Sequence, residues 1–261
     1  METTRQPMAG DPEAGSWPLI SVVTPSYNQG RFLERTIRSV LEQNYPQFEH
    51  IVMDGASTDG TIEILRRYRH LTWVSEKDSG QAAALNEGLR RARGEIIAWI
   101  NSDDWYEPDI FHAVAAFFVA NPDKHIVMGD CRLVDADGRS LGVLINYERG
   151  LRQLRKYWQA RSIPTQPAVF FRRSLLDEFG FLDESLHYAL DYDLWLRFAA
   201  KHRFYRLDRI AANYRFHPAA KGGDRDWSRF VPEWRRAYQR HVTSPWYRLL
   251  DFFRRLAQTG S

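Results

Sequence analysis

The chain has 261 residues, 44% hydrophobic and 26% charged, with 16 glycines, 12 prolines and one cysteine, which supplies one sizeable core or two small ones and excludes collagenous, low-complexity and disordered polyelectrolyte chains. The longest apolar run, Ala113 to Ala120, falls well short of the roughly 20 residues a bilayer span needs, the opening residues lack an apolar signal-peptide segment, and the lone Cys131 has no internal disulfide partner, in keeping with a reducing cytoplasm. The net charge of +3 is unevenly divided: residues 1–200 carry 22 Lys+Arg against 28 Asp+Glu, and residues 201–261 carry 14 against 5, so a basic, aromatic-rich end follows an acidic body.

Residues 1–17 read as a flexible leader. Leu19 to Thr24 is a β-branched run that stops at Pro25, and Phe32, Leu33, Ile37, Val40 and Leu41 then recur at helical spacing. The alternation continues with strand Phe48 to Met53, helix Thr61 to Arg69, strand Leu71 to Ser75, helix Gln81 to Arg91, strand Glu95 to Ile100, helix Pro108 to Ala120 and strand His125 to Met128. Strands separated by such helices predict an α/β fold with a mostly parallel, Rossmann-like sheet covered on both faces. Downstream, the pattern predicts a hairpin around Asp135 to Gly138, a basic helix Leu151 to Arg161, a strand Ala168 to Phe171, a helix Asp191 to Lys201, two strands Phe204 to Leu207 and Ile210 to Phe216, and a helical stretch Trp227 to Gln258. The economical division is one domain over 18–220 and a basic amphipathic helical tail over 221–261.

Open parallel sheets bind ligands at the carboxyl ends of their strands, and here those ends are polar and acidic. Strand one runs into Thr24-Pro25-Ser26-Tyr27-Asn28, strand two into Asp54-Gly55-Ala56-Ser57-Thr58-Asp59, strand three into Glu76-Lys77-Asp78-Ser79-Gly80-Gln81 and strand four into Asn101-Ser102-Asp103-Asp104. No glycine-rich dinucleotide fingerprint follows strand one and no P-loop occurs, which disfavours dehydrogenases and P-loop NTPases. Adjacent carboxylates at Asp103 and Asp104 repel unless a proton or cation intervenes, so a divalent ion and a capped helix near Pro108 are the competing readings. Asp54 can accept a hydrogen bond from the ring N–H of uracil, thymine or guanine, or serve the backbone of its own turn at Ala56 or Ser57.

The segments Val23 to Asn28, Asp54 to Asp59, Gly80-Gln81 with Asn86, Gly94 to Asp104, and Asp191-Tyr192-Asp193-Leu194-Trp195-Leu196-Arg197 resemble family 2 glycosyltransferases of the GT-A fold, from about Leu19 to His217. The resemblance implies an inverting transferase that moves a sugar from a nucleotide-diphospho-sugar, with a UDP-sugar as the leading expectation, to a hydroxyl acceptor. It implies a nucleotide site at Pro25, Tyr27, Asn28, Asp54, Gln81 and Asp103, a Mn²⁺ or Mg²⁺ ion at Asp103, Asp104 and His217, and Asp191 as the general base. Lys77 and Arg215 are candidate diphosphate partners, and Gln166 and Pro167 resemble a segment on the acceptor side. The family often has Asp at the position of Asn101 and Glu at that of Leu190.

The implied partners are the donor and a lipid-linked or saccharide acceptor, with no nucleic acid, at the cytoplasmic face of a membrane, and a homodimer is open. Behind Pro245, the residues Trp246, Leu249, Leu250, Phe253 and Leu256 form an apolar stripe beside Arg248, Arg254 and Arg255. This stripe either packs on the body or a second subunit, or lies on an anionic membrane surface. Two further function classes compete. A sugar-nucleotide nucleotidyltransferase needs a basic triphosphate loop, which residues 24–30 lack; a non-catalytic nucleotide-binding module has no need of Asp54, Asp103, Asp104 and Asp191 together.

Overall fold

The structure is a computed structural model describing residues 17–157, 159, 162–221 and 227–241. Strand β1, Ile20–Ser26, is buried at all seven positions, as a central strand covered on both faces must be. Its side chains alternate between two cores with the two-residue period of a strand. Val23 joins Ile51, Leu85, Ile97 and Trp99 on one face, and Ile20 and Val22 join Ile96, Ala98, Phe111 and Val114 on the other. β1 runs two residues beyond the Thr24 at which the sequence predicts its end. The Val23 carbonyl accepts the Ile100 N–H and the Ser26 carbonyl accepts the Gly55 N–H, so odd positions face β4 (Ile96–Trp99) and even ones β2 (Phe48–Asp54). Pairing with β4 has ended by Val23, and the N–H that Pro25 lacks would point to that unpaired side.

With β3 (Leu71–Ser75), these strands pair in parallel in the order β3-β2-β1-β4, joined by helices α1 (Gly30–Leu41), α2 (Thr61–Arg67) and α3 (Gln81–Arg91) as the periodicity predicts. α1 buries Phe32, Leu33, Thr36, Ile37 and Val40. α3 approaches β1 closely at Gly88, where an added Cβ would lie 2.5 Å from Val23 Cγ1. Beyond β4 the sheet is mixed, which the sequence does not predict: β8 (Val169–Arg172) is antiparallel to β4 and to β6 (Ile126–Val134), and β6 pairs in parallel with β9 (Phe204–Arg215). The two-residue β5 (Trp105–Tyr106) closes on β9, and β7 (Ser140–Leu144) forms the expected hairpin with β6. The two late strands prove to be one. β9 stays paired through a bulge opposite Gly129, where a Cβ would meet Ala211 Cβ at 2.5 Å and the Arg209 carbonyl at 2.8 Å.

Helix α4 (Ile110–Ala120) covers the second core, and α7 (Leu190–Ala199) covers the first with Tyr192, Leu194, Trp195 and Phe198. The basic helix is shorter than predicted, α5 spanning Leu151–Leu154, and the sequence reading omits α6 (Ser174–Phe179). The last described helix, α8 (Phe230–His241), buries Ala237 and Tyr238 completely in the core shared with α7. Residues 1–16 of the leader and the apolar stripe behind Pro245 lie outside the described residues, whereas Trp17 packs edge-on to Tyr45 and His112. Among those described, no helix is long and apolar enough to cross a membrane, and Cys131 is buried in the second core.

A buried imidazole on β2 links this core to pH. His50 is fully buried, with Nε2 2.9 Å from Thr24 Oγ1, and burial, reinforced by His70, lowers its pKa to about 3. The unfolded chain, with an ordinary histidine pKa of about 6.5, binds this proton when the native state does not, so stability is complete above that value and falls as pH drops toward 3. Urea unfolding at about pH 5 should show a loss of about 2 kcal/mol from this group relative to about pH 7, and His50→Gln should remove that share of the loss.

Candidate active site

The carboxyl ends of β1, β2 and β4 open into a cavity of about 740 Å³, a size suited to a small-molecule ligand. Pro25, Tyr27, Gly55, Ala56 and Lys77 line it from the strand-end loops, and Gln81 from the start of α3. Tyr27 is 64% exposed, a large aromatic face at the cavity edge. Gly55 lets this wall close up: a Cβ would sit 2.9 Å from Asp78 Oδ2 and 3.3 Å from the Tyr27 ring, so the Asp78 side chain would have to shift. Asn28 and Asp54 stand behind this wall. Asn28 adopts φ +51°, a conformation asparagine tolerates, and ties the first two loops together: its N–H donates to Ser57 Oγ and its Oδ1 accepts the Thr58 N–H. Asp54, 2% exposed, accepts the Ser57 N–H at 2.9 Å, the Ser57 hydroxyl at 2.5 Å and the Ser75 hydroxyl at 2.6 Å. The turn alternative for Asp54 is thus what its contacts display, with three of its roughly four acceptor positions taken by Ser57 and Ser75.

Side-chain amides organise the part of the cavity below β4. Asn101 Oδ1 accepts from Gln81 Nε2 at 2.8 Å and from the Trp99 indole at 3.1 Å, while its amide donates to Gln166 Oε1 at 3.2 Å. Gln166 in turn donates to the Trp99 carbonyl at 2.6 Å. An aspartate at position 101 could not donate to Gln166, which accounts physically for asparagine where the family often has the acid.

Asp103 lines the cavity and its Oδ2 lies 3.0 Å from His217 Nε2. His217 is buried beside the Phe32 ring. Asp104 points inward instead: Oδ1 accepts the Arg215 N–H at 2.8 Å, and Oδ2 is buried with no hydrogen-bond partner. Burial and the neighbouring Asp103 charge push its carboxyl well above the usual range. Neither acid caps a helix, since α4 begins behind Asp109. Arg215 is not a diphosphate partner in this arrangement. Its guanidinium donates to the Asp103 and Ala136 carbonyls and packs between the Phe32 and Trp105 rings.

Among the described residues, no three His, Cys, Asp or Glu side chains converge. Magnesium and manganese commonly take only one or two protein carboxylates and complete their shells with phosphate and water. Asp103 on the cavity side, with His217 and the orphaned Asp104 Oδ2 behind it, fits that demand.

Asp191 reaches the same cavity from the first turn of α7. It is not the N-cap, which is Ala189; its Oδ1 accepts the Tyr192 N–H at 2.7 Å. Burial raises its pKa to about 6 against the opposing pull of that N–H and of the Lys221 charge. Lys221, which sequence reasoning missed, also lines the cavity, and its burial lowers it to about 8 while Asp191 and Glu233 oppose the shift. Tyr214 lies within the field of all three acids: burial first, then Asp104, Asp103 and Asp191, push its phenol up. Asp193 is elsewhere. Its carboxylate is 4% exposed and held by Arg197 Nε at 3.0 Å and His241 Nε2 at 2.7 Å. Asp193→Ala should therefore cost about 2–4 kcal/mol in denaturant unfolding by removing a buried carboxylate from the partly buried Arg197 and His241, with turnover per folded molecule unchanged.

Comparison with known proteins shows the family of the chain. The profile of glycosyl transferase family 2 matches residues 21–180, which contain both the strand-end loops and the Asp103-Asp104 pair. The chain belongs to this family. TuaG of Bacillus subtilis (strain 168), named for teichuronic acid biosynthesis, is 44% identical over 98 residues, 35% of this chain and 38% of TuaG. An uncharacterized glycosyltransferase of Rickettsia typhi is 28% identical over 207 residues, 77% of this chain and 65% of its own, and chondroitin synthase of Escherichia coli is 28% identical over 204 residues, 77% and 29%.

The chain thus spans between 29% and 65% of the length of these family 2 relatives. Two solved structures share the fold: TarS of S. aureus (residues 1–349) in complex with UDP-GlcNAc, at TM-score 0.64 and 22% identity over 77% of this chain and 60% of that one, and the mannosyltransferase PcManGT of Pyrobaculum calidifontis in complex with GDP-Man and Mn²⁺, at 0.66 and 22% over 94% and 70%. Of the sequence-predicted site residues, the cavity of this family 2 member gathers Pro25, Tyr27, Gln81, Asp103 and Asp191. Asn28, Asp54, Asp104 and His217 form the layer behind.

Proposed function

We propose that the cavity binds a nucleotide-diphospho-sugar and transfers its sugar, with inversion, to a hydroxyl of a saccharide or lipid-linked acceptor in cell-surface polysaccharide or glycolipid synthesis. The observation that carries this reading is one cavity lined by two separate carboxylates in unlike surroundings: Asp103, whose Oδ2 lies 3.0 Å from His217 Nε2, and Asp191 at the start of α7, where burial raises its pKa to about 6. Pairs of acids in unlike environments are how a site assigns unlike roles. The names of TuaG and chondroitin synthase support an acceptor in polysaccharide synthesis.

Asp103 and His217 would hold a Mn²⁺ or Mg²⁺ ion, which supplies charge neutralisation for the departing diphosphate when bound. Tyr27 offers its exposed ring to the nucleoside, and Gln81 with Asn101 offers amide groups to the sugar or ribose. The acceptor oxygen forms its bond to the anomeric carbon as the bond from that carbon to the diphosphate oxygen breaks. The acceptor proton passes to Asp191, and the nucleoside diphosphate leaves with the electron pair. Above pH 6 Asp191 is ionised and ready to accept this proton, and its raised pKa makes it a stronger base than an exposed aspartate.

A thermal-shift screen of UDP-, GDP- and dTDP-sugars with Mn²⁺ and with EDTA tests the proposal. A donor at about 100 times its Kd should stabilise the protein by about 2.7 kcal/mol, with UDP-sugars the leading expectation and EDTA reducing the shift. If no nucleotide-sugar shifts unfolding under either condition, the donor reading is overturned.

A further inference from the structure

α7, which carries Asp191, has no cap of its own. Its N-cap residue is Ala189, with no side-chain cap bond, yet the preceding amides are not idle. The carboxylate of Glu233, in the first turn of α8, accepts the N–H groups of three consecutive residues: His187 at 2.9 and 3.1 Å, Tyr188 at 2.6 Å and Ala189 at 2.9 Å. A charged acceptor on converging backbone donors makes a strong, directional contact, here between segments 44 to 46 residues apart in sequence.

Two more contacts fix the same segment. Lys221 Nζ donates to the His187 carbonyl at 2.6 Å, and the Phe230 ring packs 4.8 Å from that of Tyr188. The clamped stretch then leads directly into the cavity wall, because His187, Tyr188, Leu190 and Asp191 all line it. Any shift of 187–189 moves Asp191 with it.

We propose that Glu233 is a positioning residue: by gripping the amides of His187, Tyr188 and Ala189 from α8, it sets the placement of Asp191 for proton transfer. This rests on the proposed role of Asp191. It makes the first turn of the C-terminal helix part of the catalytic unit, although the helix lies beyond the family match at residue 180.

A double-mutant cycle tests it, measuring nucleoside diphosphate release from UDP-GlcNAc and GDP-mannose with Mn²⁺ and water as acceptor. Glu233→Ala should lower kcat about 10–100-fold, the usual result of an ångström-scale misplacement, with nucleotide affinity within about twofold. In the Asp191→Asn background the same substitution should cost less than about threefold, because a residue acting through Asp191 has nothing left to position. Glu233→Gln, which keeps one carbonyl acceptor and the side-chain volume, should fall between and serves if the alanine variant fails to fold. Amide exchange at 187–189 should accelerate in step with the loss of kcat.

Equal losses in both backgrounds, or a parallel loss of nucleotide affinity, would make Glu233 a general stabiliser and overturn the inference. Turnover that requires Asp191 and ignores Glu233 sinks this inference alone, whereas a wild type that releases no nucleoside diphosphate from any UDP-, GDP- or dTDP-sugar sinks the transferase reading on which it stands.

Discussion

Asp191→Asn should lower donor turnover by about 10²–10⁴ while leaving nucleotide affinity essentially unchanged, the expected signature of a lost general base. The asparagine keeps the shape and can still accept the Tyr192 N–H, so the fold of α7 is preserved and only proton acceptance is lost. The pH profile sharpens the test. Because the ionised carboxylate is the active form and its pKa is about 6, wild-type turnover should rise with pH up to about 6 and level above it. In Asp191→Asn that limb should vanish. Asp193→Asn should retain the limb, since Asp193 is buried between Arg197 and His241 and does not line the cavity. If the two variants rank the other way, the base assignment is wrong.

The second large effect belongs to Asp103. Calorimetric titration of UDP or GDP, whichever binds, should show Asp103→Ala losing about 100-fold or more in affinity with Mn²⁺ present, since even outer-shell partners of a metal are worth about 10–100-fold. In excess EDTA the variant and the wild type should bind alike. Asp104→Ala should behave differently. It removes a buried carboxylate that accepts the Arg215 N–H, so loss of stability should accompany any loss of affinity. Affinity of Asp103→Ala equal to wild type in Mn²⁺ would remove Asp103 from the metal.

The acidic strand ends were legible because local patterns encode them: a β-branched run, a turn, and carboxylates just past the strand. Asp103 follows from such a pattern and from the family resemblance, Asp191 from the resemblance alone, and both line the cavity. What a single sequence does not encode is which way a side chain turns. Asp103 and Asp104 are adjacent, yet one faces the cavity and the other the β9 backbone, a choice fixed by pairing with a strand more than a hundred residues away.

The mixed half of the sheet was hidden for a similar reason, because antiparallel insertion of β8 between β4 and β6 is a long-range choice. Glu233 gave no signal at all: in the sequence it is one acid in a basic amphipathic helix, and only the packing of α8 against α7 brings it to His187. Lys221 was equally silent, a lysine just past the last strand whose burial depends on the loop fold.

The most direct measurement is a crystal structure with Mn²⁺ and the nucleotide-sugar selected by the thermal screen, read by anomalous scattering at a wavelength where manganese stands out. The expected result is one manganese peak at the Asp103 carboxylate and the His217 imidazole, the diphosphate against it, the nucleoside beside Tyr27 and the anomeric carbon turned toward Asp191. A bound nucleotide-sugar outside this cavity, or one inside it with its anomeric carbon turned away from Asp191 and no manganese at Asp103, would contradict the proposed mechanism.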